Sequence, residues 1–197
     1  QWVLQDGIAY LFPQSVKINA SNQSETGSWY KINHQSDSPK DLITKDVFKI
    51  WINHGVKPAN ATYQYIVVPS TNEKELTEQG DRKLMILSNT AEIQAVQHTG
   101  LNIIEMIFYH AGQIKLSGDL KIGMDSPGLV MVKMDRSKLK TITVADPSRK
   151  LGRIHLTVSD KKGLNFASLW NNEKGNSEIT IDLPQTVYAG KSVTIEL

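Results

Sequence analysis

The side chains with acid, base or metal-binding chemistry are spread along this chain and are not grouped in motifs. None of the five histidines belongs to an HExxH or HxH motif or has a carboxylate at a metal-ligand spacing. They are His34, His54, His98, His110 and His155. His54 follows an alternating apolar stretch, and a structural role at a strand end is its ordinary interpretation. The sequence therefore predicts no metal site and no cofactor.

Motifs for nucleophilic catalysis and nucleotide binding are also missing. There is no GxSxG segment, and the glycine spacings fit neither a P-loop nor a dinucleotide-binding fingerprint. A glycoside hydrolase needs two carboxylates across a cleft, and the 20 acidic residues leave that arrangement open without singling out a pair. A local calcium loop is absent, although a calcium site built from distant loops stays open.

Aromatic side chains are the remaining candidates for a binding role, because sugar rings stack on flat aromatic surfaces. Trp29 and Tyr30 precede the polar stretch 33–40, where an exposed platform is expected. Trp170 stands beside two asparagines. These three are the candidate substrate-binding residues, and ordinary packing is the alternative for each. Trp51 lies within an alternating strand pattern, so we expect it in the core.

The composition restricts the partners of the chain. The 22 basic and 20 acidic residues give a formal charge of +2, far below the basic surface that nucleic acid requires. No apolar run approaches the ~20 residues that span a bilayer, so the sequence predicts no membrane span. Cysteine is absent, which excludes disulfides and thiolate metal sites.

Alternation of apolar and polar residues at period two dominates the chain and is typical of half-buried strands. It is clearest at 15–19, 47–52, 153–158 and 178–183, and further strands are predicted at 8–12, 62–68, 84–87, 92–97, 102–109, 128–133, 140–144 and 192–197. Only Thr71–Gly80 has the caps of a helix. The predicted fold class is all-β, with stacked antiparallel sheets.

A cluster of glycine, aspartate and proline at Gly118–Pro127 predicts a domain boundary. The predicted domains are residues 1–122 and 123–197. The second is mildly basic, which would suit an anionic polysaccharide, although an ordinary solvated surface is the simpler interpretation.

Six segments, taken together, resemble polysaccharide lyase family 8, which comprises the chondroitin AC, hyaluronate and xanthan lyases. They keep the family's order and approximate spacing in the first part of the chain. They are Asp6–Pro13, Thr26–Asn33, Val47–Gly55, Pro58–Pro69, Ile86–Thr90 and Ile93–Val96. Residues 129–197 resemble the small C-terminal β-sandwich of the same family, through motifs such as Ala145–Arg149.

The resemblance implies an enzyme of three parts: an N-terminal α/α toroid, a central antiparallel super-sandwich and a small C-terminal β-sandwich. Residues 1–122 are then expected to form the C-terminal portion of the central domain, and residues 123–197 the C-terminal sandwich. The family's catalytic set for β-elimination at a uronic acid lies on the toroid. No residue of this chain is therefore expected to be catalytic.

The function implied by the resemblance is that of a scaffold and one wall of the substrate cleft. The parent would be a secreted or periplasmic lyase that acts on an anionic polysaccharide such as chondroitin or hyaluronan. Because the chain opens on Gln1-Trp2 without methionine, we expect further sequence upstream, and the resemblance implies that it contains the toroid. Its absence would expose an apolar face near the N-terminal strands. Two alternatives stay open: a self-sufficient carbohydrate-binding module, and a cell-surface adhesion or structural sandwich.

Overall fold

The chain folds almost entirely into antiparallel strands, which confirms the all-β prediction. The structure is a computed structural model that describes residues 1–79, 83–136, 138–159 and 170–197. The chain divides into two compact units, Gln1–Gly80 and Asp81–Leu197. Each unit has its own sheets and is described by itself.

The first unit contains two small sheets and two short helices. The strands are β1 (Trp2–Gln5), β2 (Ile8–Leu11), β3 (Ile18–Gly27), β4 (Ile43–Ile52) and β5 (Ile66–Val68), and the helices are α1 (Trp29–Asn33) and α2 (Glu73–Gln79). One sheet has the order β1-β2-β5, and the other is the long hairpin of β3 and β4. In both sheets neighbouring strands run antiparallel.

Local chemistry explains the turn and the helix that frame the three-stranded sheet. Asp6 and Gly7 form the two-residue link between β1 and β2, with φ of 48° and 74°. Two consecutive positive φ angles suit the tight turn of a right-twisted hairpin, and Asp-Gly tolerates them. Asn72 caps α2, because its Oδ1 accepts the Glu75 backbone N–H at 3.0 Å. The predicted helix is confirmed, and buried Leu76 anchors it.

The second unit is a sandwich of two antiparallel sheets. Its strands are β6 (Leu84–Asn89), β7 (Ile93–His98), β8 (Ile103–Phe108), β9 (Gly112–Ser117), β10 (Leu120–Met124), β11 (Gly128–Asp135), β12 (Lys138–Ala145), β13 (Arg153–Val158), β14 (Trp170–Asn171), β15 (Asn176–Asp182) and β16 (Val193–Glu196), with a 3-10 turn at Thr186–Tyr188. The six-stranded sheet has the order β16-β12-β11-β8-β7-β6, and the five-stranded sheet the order β14-β15-β13-β10-β9.

The core of this unit lies between the two sheets. Every second residue of the strands in both sheets points inward. In β11, for example, buried positions alternate with more exposed ones along the whole strand. Ile142 and Val132 from one sheet and Ile154 and Ile122 from the other are fully buried in the same apolar cluster. Each such side chain contributes about 1.5–3 kcal/mol of burial free energy, so this cluster dominates the stability of the unit.

The two compact units divide at Gly80/Asp81, which differs from the predicted boundary at 122/123. Residues 122 and 123 lie in the middle of β10, between its partners β9 and β13. The glycine, aspartate and proline cluster marks two separate turns: Gly118-Asp119 links β9 to β10, and residues 125–127 link β10 to β11. The second of these carries the chain from one sheet of the sandwich to the other, and this accounts for its turn-rich composition.

Candidate functional site

Trp29 and Tyr30, the predicted aromatic platform, begin the short helix α1 in the first unit. Trp29 is 56% exposed, whereas Tyr30 is half-buried. The Lys40 ammonium lies 4.9 Å from the centroid of the Tyr30 ring, and the His34 ring lies 5.7 Å from it. The Tyr30 ring therefore already has a cation–π partner, and Trp29 is the more accessible member of the pair.

Trp170, the third predicted residue, lies on β14 in the second unit and is half-buried. Its indole N–H donates to Asn172 Oδ1 at 3.1 Å. The neighbouring Asn171 Oδ1 accepts the backbone N–H groups of Glu173 and Lys174, which closes the predicted hairpin loop at 171–176. Trp170 thus belongs to a different unit from Trp29 and Tyr30, and a sugar contact of any of the three stays a prediction.

A groove that the sequence did not single out opens in the first unit, with a volume of about 350 Å³. Its lining residues are Tyr10, Phe12, Ile18, Ile50, Trp51, Ile52, His54, Tyr63 and Tyr65. The expectation that Trp51 lies in the core is wrong, since this side chain is 47% exposed. The strand alternation is real, but it turns Ile50 and Ile52 to the more buried face of β4 and leaves Trp51 on the open one.

The rings of this groove, which we call the aromatic groove, follow one another in a row. His54 lies 6.2 Å from Tyr63, and Tyr63 lies 6.3 Å from Tyr65 with the two ring planes 16° apart. Tyr65 in turn lies 6.3 Å from both Tyr10 and Phe12. Tyr63 is 63% exposed and Tyr65 48%, so the row presents ring surface to solvent.

Charged side chains are absent from the lining residues that the structure describes. The lining instead combines the apolar side chains of the isoleucines and Phe12 with rings that carry a polar group, namely phenol, indole N–H or imidazole. Such a surface can stack on a flat ligand and hydrogen-bond its edge. It does not repel an anion.

The histidines show no common site. Within residues 1–79, 83–136, 138–159 and 170–197, no cluster of three or more histidine or acidic side chains could hold a metal ion. His98 Nδ1 accepts the Leu101 backbone N–H at 3.1 Å, and His155 Nδ1 lies 2.9 Å from Thr180 Oγ1. His54, which the sequence places at a strand end, faces the aromatic groove.

Asp146 is a buried carboxylate of the second unit and is only 3% exposed. It accepts the backbone N–H groups of Ser148, Lys150 and Leu151 at 2.7–2.8 Å. Burial raises the pKa of Asp146, but the hydrogen bonds from Ser148, Leu151 and Lys150 outweigh it and lower the pKa to about 2. This carboxylate organises the turn that follows β12.

No helix in the described part of the chain is long and apolar enough to cross a membrane.

Both units match domains of one enzyme family. Residues 1–80 match the super-sandwich domain of polysaccharide lyase family 8, and residues 85–155 match the C-terminal beta-sandwich domain of the same family. The chain belongs to polysaccharide lyase family 8. The resemblance drawn from the six sequence segments is therefore confirmed.

Named relatives of this family 8 chain are bacterial enzymes. It is 37% identical over 196 residues to a chondroitinase AC of Pedobacter heparinus, a match that covers 99% of this chain and 26% of the relative. It is 29% identical over 160 residues to a hyaluronate lyase of Thermasporomyces composti, covering 80% of this chain and 20% of that enzyme. The family 8 chain thus spans about a quarter or less of the length of these relatives.

Solved structures extend the likeness to the fold. A chondroitinase AC lyase whose active site was studied in oligosaccharide complexes superposes with a TM-score of 0.80 at 36% identity, over 98% of this chain and 27% of that one. A Paenibacillus xanthan lyase superposes with a TM-score of 0.73 at 23% identity, over 95% of this chain and 18% of that one. The second match supports the fold alone.

Proposed function

We propose that this chain is the non-catalytic β-sheet part of a secreted polysaccharide lyase that cleaves a uronic-acid-containing polysaccharide by β-elimination. Its role there is to serve as scaffold and as one wall of the substrate cleft. The observation that carries the proposal is its 37% identity over 99% of its length to a chondroitinase AC of which it spans 26%. The polysaccharide is a glycosaminoglycan such as chondroitin or hyaluronan.

The two units differ in how many apolar side chains they bury, and this difference supports a scaffold that packs against a further domain. In the described part of the first unit the buried apolar side chains are Ala9, Phe12 and Leu76, whereas the second unit has a continuous core. Most of the exposed large apolar side chains also belong to the first unit: Trp2, Ile8, Trp29, Ile32, Leu42, Ile43, Trp51, Val56, Tyr63, Tyr65 and Val67. This supports the expected apolar face near the N-terminal strands, and the α/α toroid and the rest of the super-sandwich are the proposed partners.

The proposal is tested by comparing two proteins on chondroitin and on hyaluronan. One is the 197-residue chain, and the other is the product of the whole reading frame that encodes it. β-Elimination creates an unsaturated uronic acid that absorbs in the ultraviolet. We expect absorbance to rise with the whole product and to stay flat with the 197-residue chain, at equal molar concentration. Turnover by the chain itself would overturn its non-catalytic role.

A self-sufficient carbohydrate-binding module is the second candidate function, and the exposed rings of the aromatic groove favour it. The reading frame distinguishes the two candidates. Several hundred codons of helical periodicity upstream of Gln1 support the lyase scaffold. A signal peptide immediately before Gln1 supports the module.

A further inference from the structure

The C-terminal strap, residues 184–197, carries the chain from the five-stranded sheet to the six-stranded sheet and ends in β16. It lies against the Asp146 turn, residues 146–151. We propose that this turn controls the opening of the strap, so that β16 leaves its sheet only when the hydrogen bonds to the Asp146 carboxylate break. This control is confined to the second unit and does not depend on the proposed function.

The strand β16 has few contacts of its own to hold it in the six-stranded sheet. It is four residues long, lies at one end of the strand order and pairs with β12. Val193, Ile195 and Leu197 pack against the core but are only partly buried. Short terminal strands at a sheet edge open more easily than central strands do. The position of β16 therefore depends on what fixes the strap that leads into it.

The Asp146 turn is organised by a buried charge. Besides the three backbone N–H groups that its carboxylate accepts, the Asp146 backbone carbonyl accepts the Arg149 N–H at 3.1 Å. Hydrogen bonds to an ionised acceptor are stronger than neutral ones, and a buried carboxylate that loses its donors is costly. Because one carboxylate holds all three donors, we expect these bonds to form and break together.

Two contacts join the turn to the strap. Gln185 Nε2 donates to the Leu151 carbonyl oxygen at 3.0 Å. At Gly190, which has a φ of 90°, a Cβ atom would lie 3.0 Å from Arg149 Cγ and 3.6 Å from the Asp146 carbonyl oxygen, so the strap backbone passes close to the turn. Leu151 is held on both sides, because its N–H donates to Asp146 Oδ2 at 2.7 Å while its carbonyl accepts Gln185. Loss of the carboxylate bonds therefore also displaces the acceptor that holds the strap.

Native-state hydrogen exchange of the 197-residue chain tests this control, with β16 amides as the readout and β8 and β11 amides as the reference. We expect β16 amides to exchange at least about tenfold faster than the reference, because the strap opens without unfolding of the sandwich. Asp146→Asn should accelerate β16 exchange about tenfold or more, because the weakened turn releases the strap. Equal protection of β16 and the reference in the unaltered chain, or unchanged β16 exchange in Asp146→Asn, would overturn the proposal.

Gln185→Ala tests the same contact from the strap and leaves the buried carboxylate in place. The substitution removes the hydrogen bond to the Leu151 carbonyl, so we expect β16 amides to exchange about three- to tenfold faster. Asp182→Asn is the matched control, because the Asp182 side chain is 82% exposed and lies two residues before the strap. It should leave β16 exchange unchanged. An unaltered rate in Gln185→Ala contradicts the proposal even if Asp146→Asn is too unstable to measure.

The double variant shows whether the turn and the strap act through one contact. Once Asp146→Asn has loosened the turn, the Leu151 carbonyl no longer holds Gln185 in place. Adding Gln185→Ala should then accelerate β16 exchange by less than about twofold. If the two substitutions instead multiply their separate effects, the turn and the strap open independently and the proposal is wrong.

Discussion

Tyr65 and Tyr63 stack with centroids 6.3 Å apart, and the Tyr65 ring also lies 6.3 Å from the rings of Tyr10 and Phe12. Tyr65 directly precedes β5. Tyr10 lies on β2, Phe12 directly follows β2, and β2 is the neighbour of β5 in the three-stranded sheet. Tyr65 therefore joins the wall of the aromatic groove to the three-stranded sheet, whereas Tyr63 lies between Tyr65 and His54.

This difference predicts unequal effects on stability. Tyr65→Ala removes three ring contacts of a side chain that is 48% exposed and should lower the free energy of unfolding of the first unit by about 1–2 kcal/mol. Tyr63→Ala removes contacts at a side chain that is 63% exposed and should cost about 1 kcal/mol or less. Urea titration followed by circular dichroism measures both values. Equal costs for the two variants would contradict the structural role given to Tyr65.

The two units should also differ in their protection against hydrogen exchange. Amides of β8, β11 and β12 lie in the middle of the six-stranded sheet above the continuous core, so opening them requires unfolding of the second unit. Amides of β1, β2 and β5 lie in a sheet with few buried side chains. We expect the first group to exchange at least about tenfold more slowly, measured on the same sample by nuclear magnetic resonance. Uniform protection across both units would show that they unfold together.

Period-two alternation was enough to predict the fold class and most of the sandwich strands, because inward-facing residues such as Ile154 and Leu156 alternate with polar ones. It did not predict β9 and β10. Leu120–Met124 has only one exposed position: β10 lies between β9 and β13, and Gly123 faces the Thr157 side chain. A short buried strand that lacks polar and apolar alternation and is flanked by turn residues is not distinguished from a linker by its sequence.

The sequence did not predict the aromatic groove, for a different physical reason. Its walls come from β2, β4 and the segment before β5, which are distant in sequence and meet only after the sheets form. Trp29 and Tyr30 were predicted as a binding platform because they are adjacent in sequence and precede a polar stretch. The sequence did contain one indication of the groove. Tyr63 and Tyr65 stand two residues apart just before β5, and side chains at this spacing in an extended segment lie on the same face.

Asp146 should make the stability of the second unit depend on acidic pH. Its folded pKa of about 2 lies below the ordinary pKa of 3.8 for an unfolded aspartate. A depressed pKa contributes stability above the unfolded value, and this is lost as the pH falls through the folded one. We expect a loss on the order of 1–2 kcal/mol between about pH 4 and pH 2, measured by urea titration at each pH.

The matched control for this pH dependence is Asp182, whose side chain is 82% exposed beside Arg153. Asp146→Asn should remove most of the acid-dependent loss and lower stability at neutral pH, because the amide is a poorer acceptor for the three backbone N–H groups. Asp182→Asn should change neither quantity measurably. An unaltered pH profile in Asp146→Asn would show that other carboxylates cause the acid sensitivity.

Gly123 is required by the close approach of two strands in the five-stranded sheet. It pairs with Thr157 on β13, and a Cβ atom added at Gly123 would lie 2.3 Å from Thr157 Oγ1. The next contact, at 3.4 Å from the Gly112 carbonyl oxygen, is tolerable. We therefore expect Gly123→Ala to destabilise the second unit by about 1–3 kcal/mol through this one side chain.

A double-mutant cycle tests that cause. Thr157→Ala removes the clashing oxygen, so adding Gly123→Ala to it should cost less than about 0.5 kcal/mol, which gives a coupling free energy close to the whole cost of the single substitution. Gly152→Ala is the control, since a Cβ atom there meets nothing within 4 Å. It should leave stability unchanged or slightly raised, because alanine restricts the unfolded chain. Additive costs in the cycle would mean that the backbone at Gly123, and not Thr157, excludes a side chain.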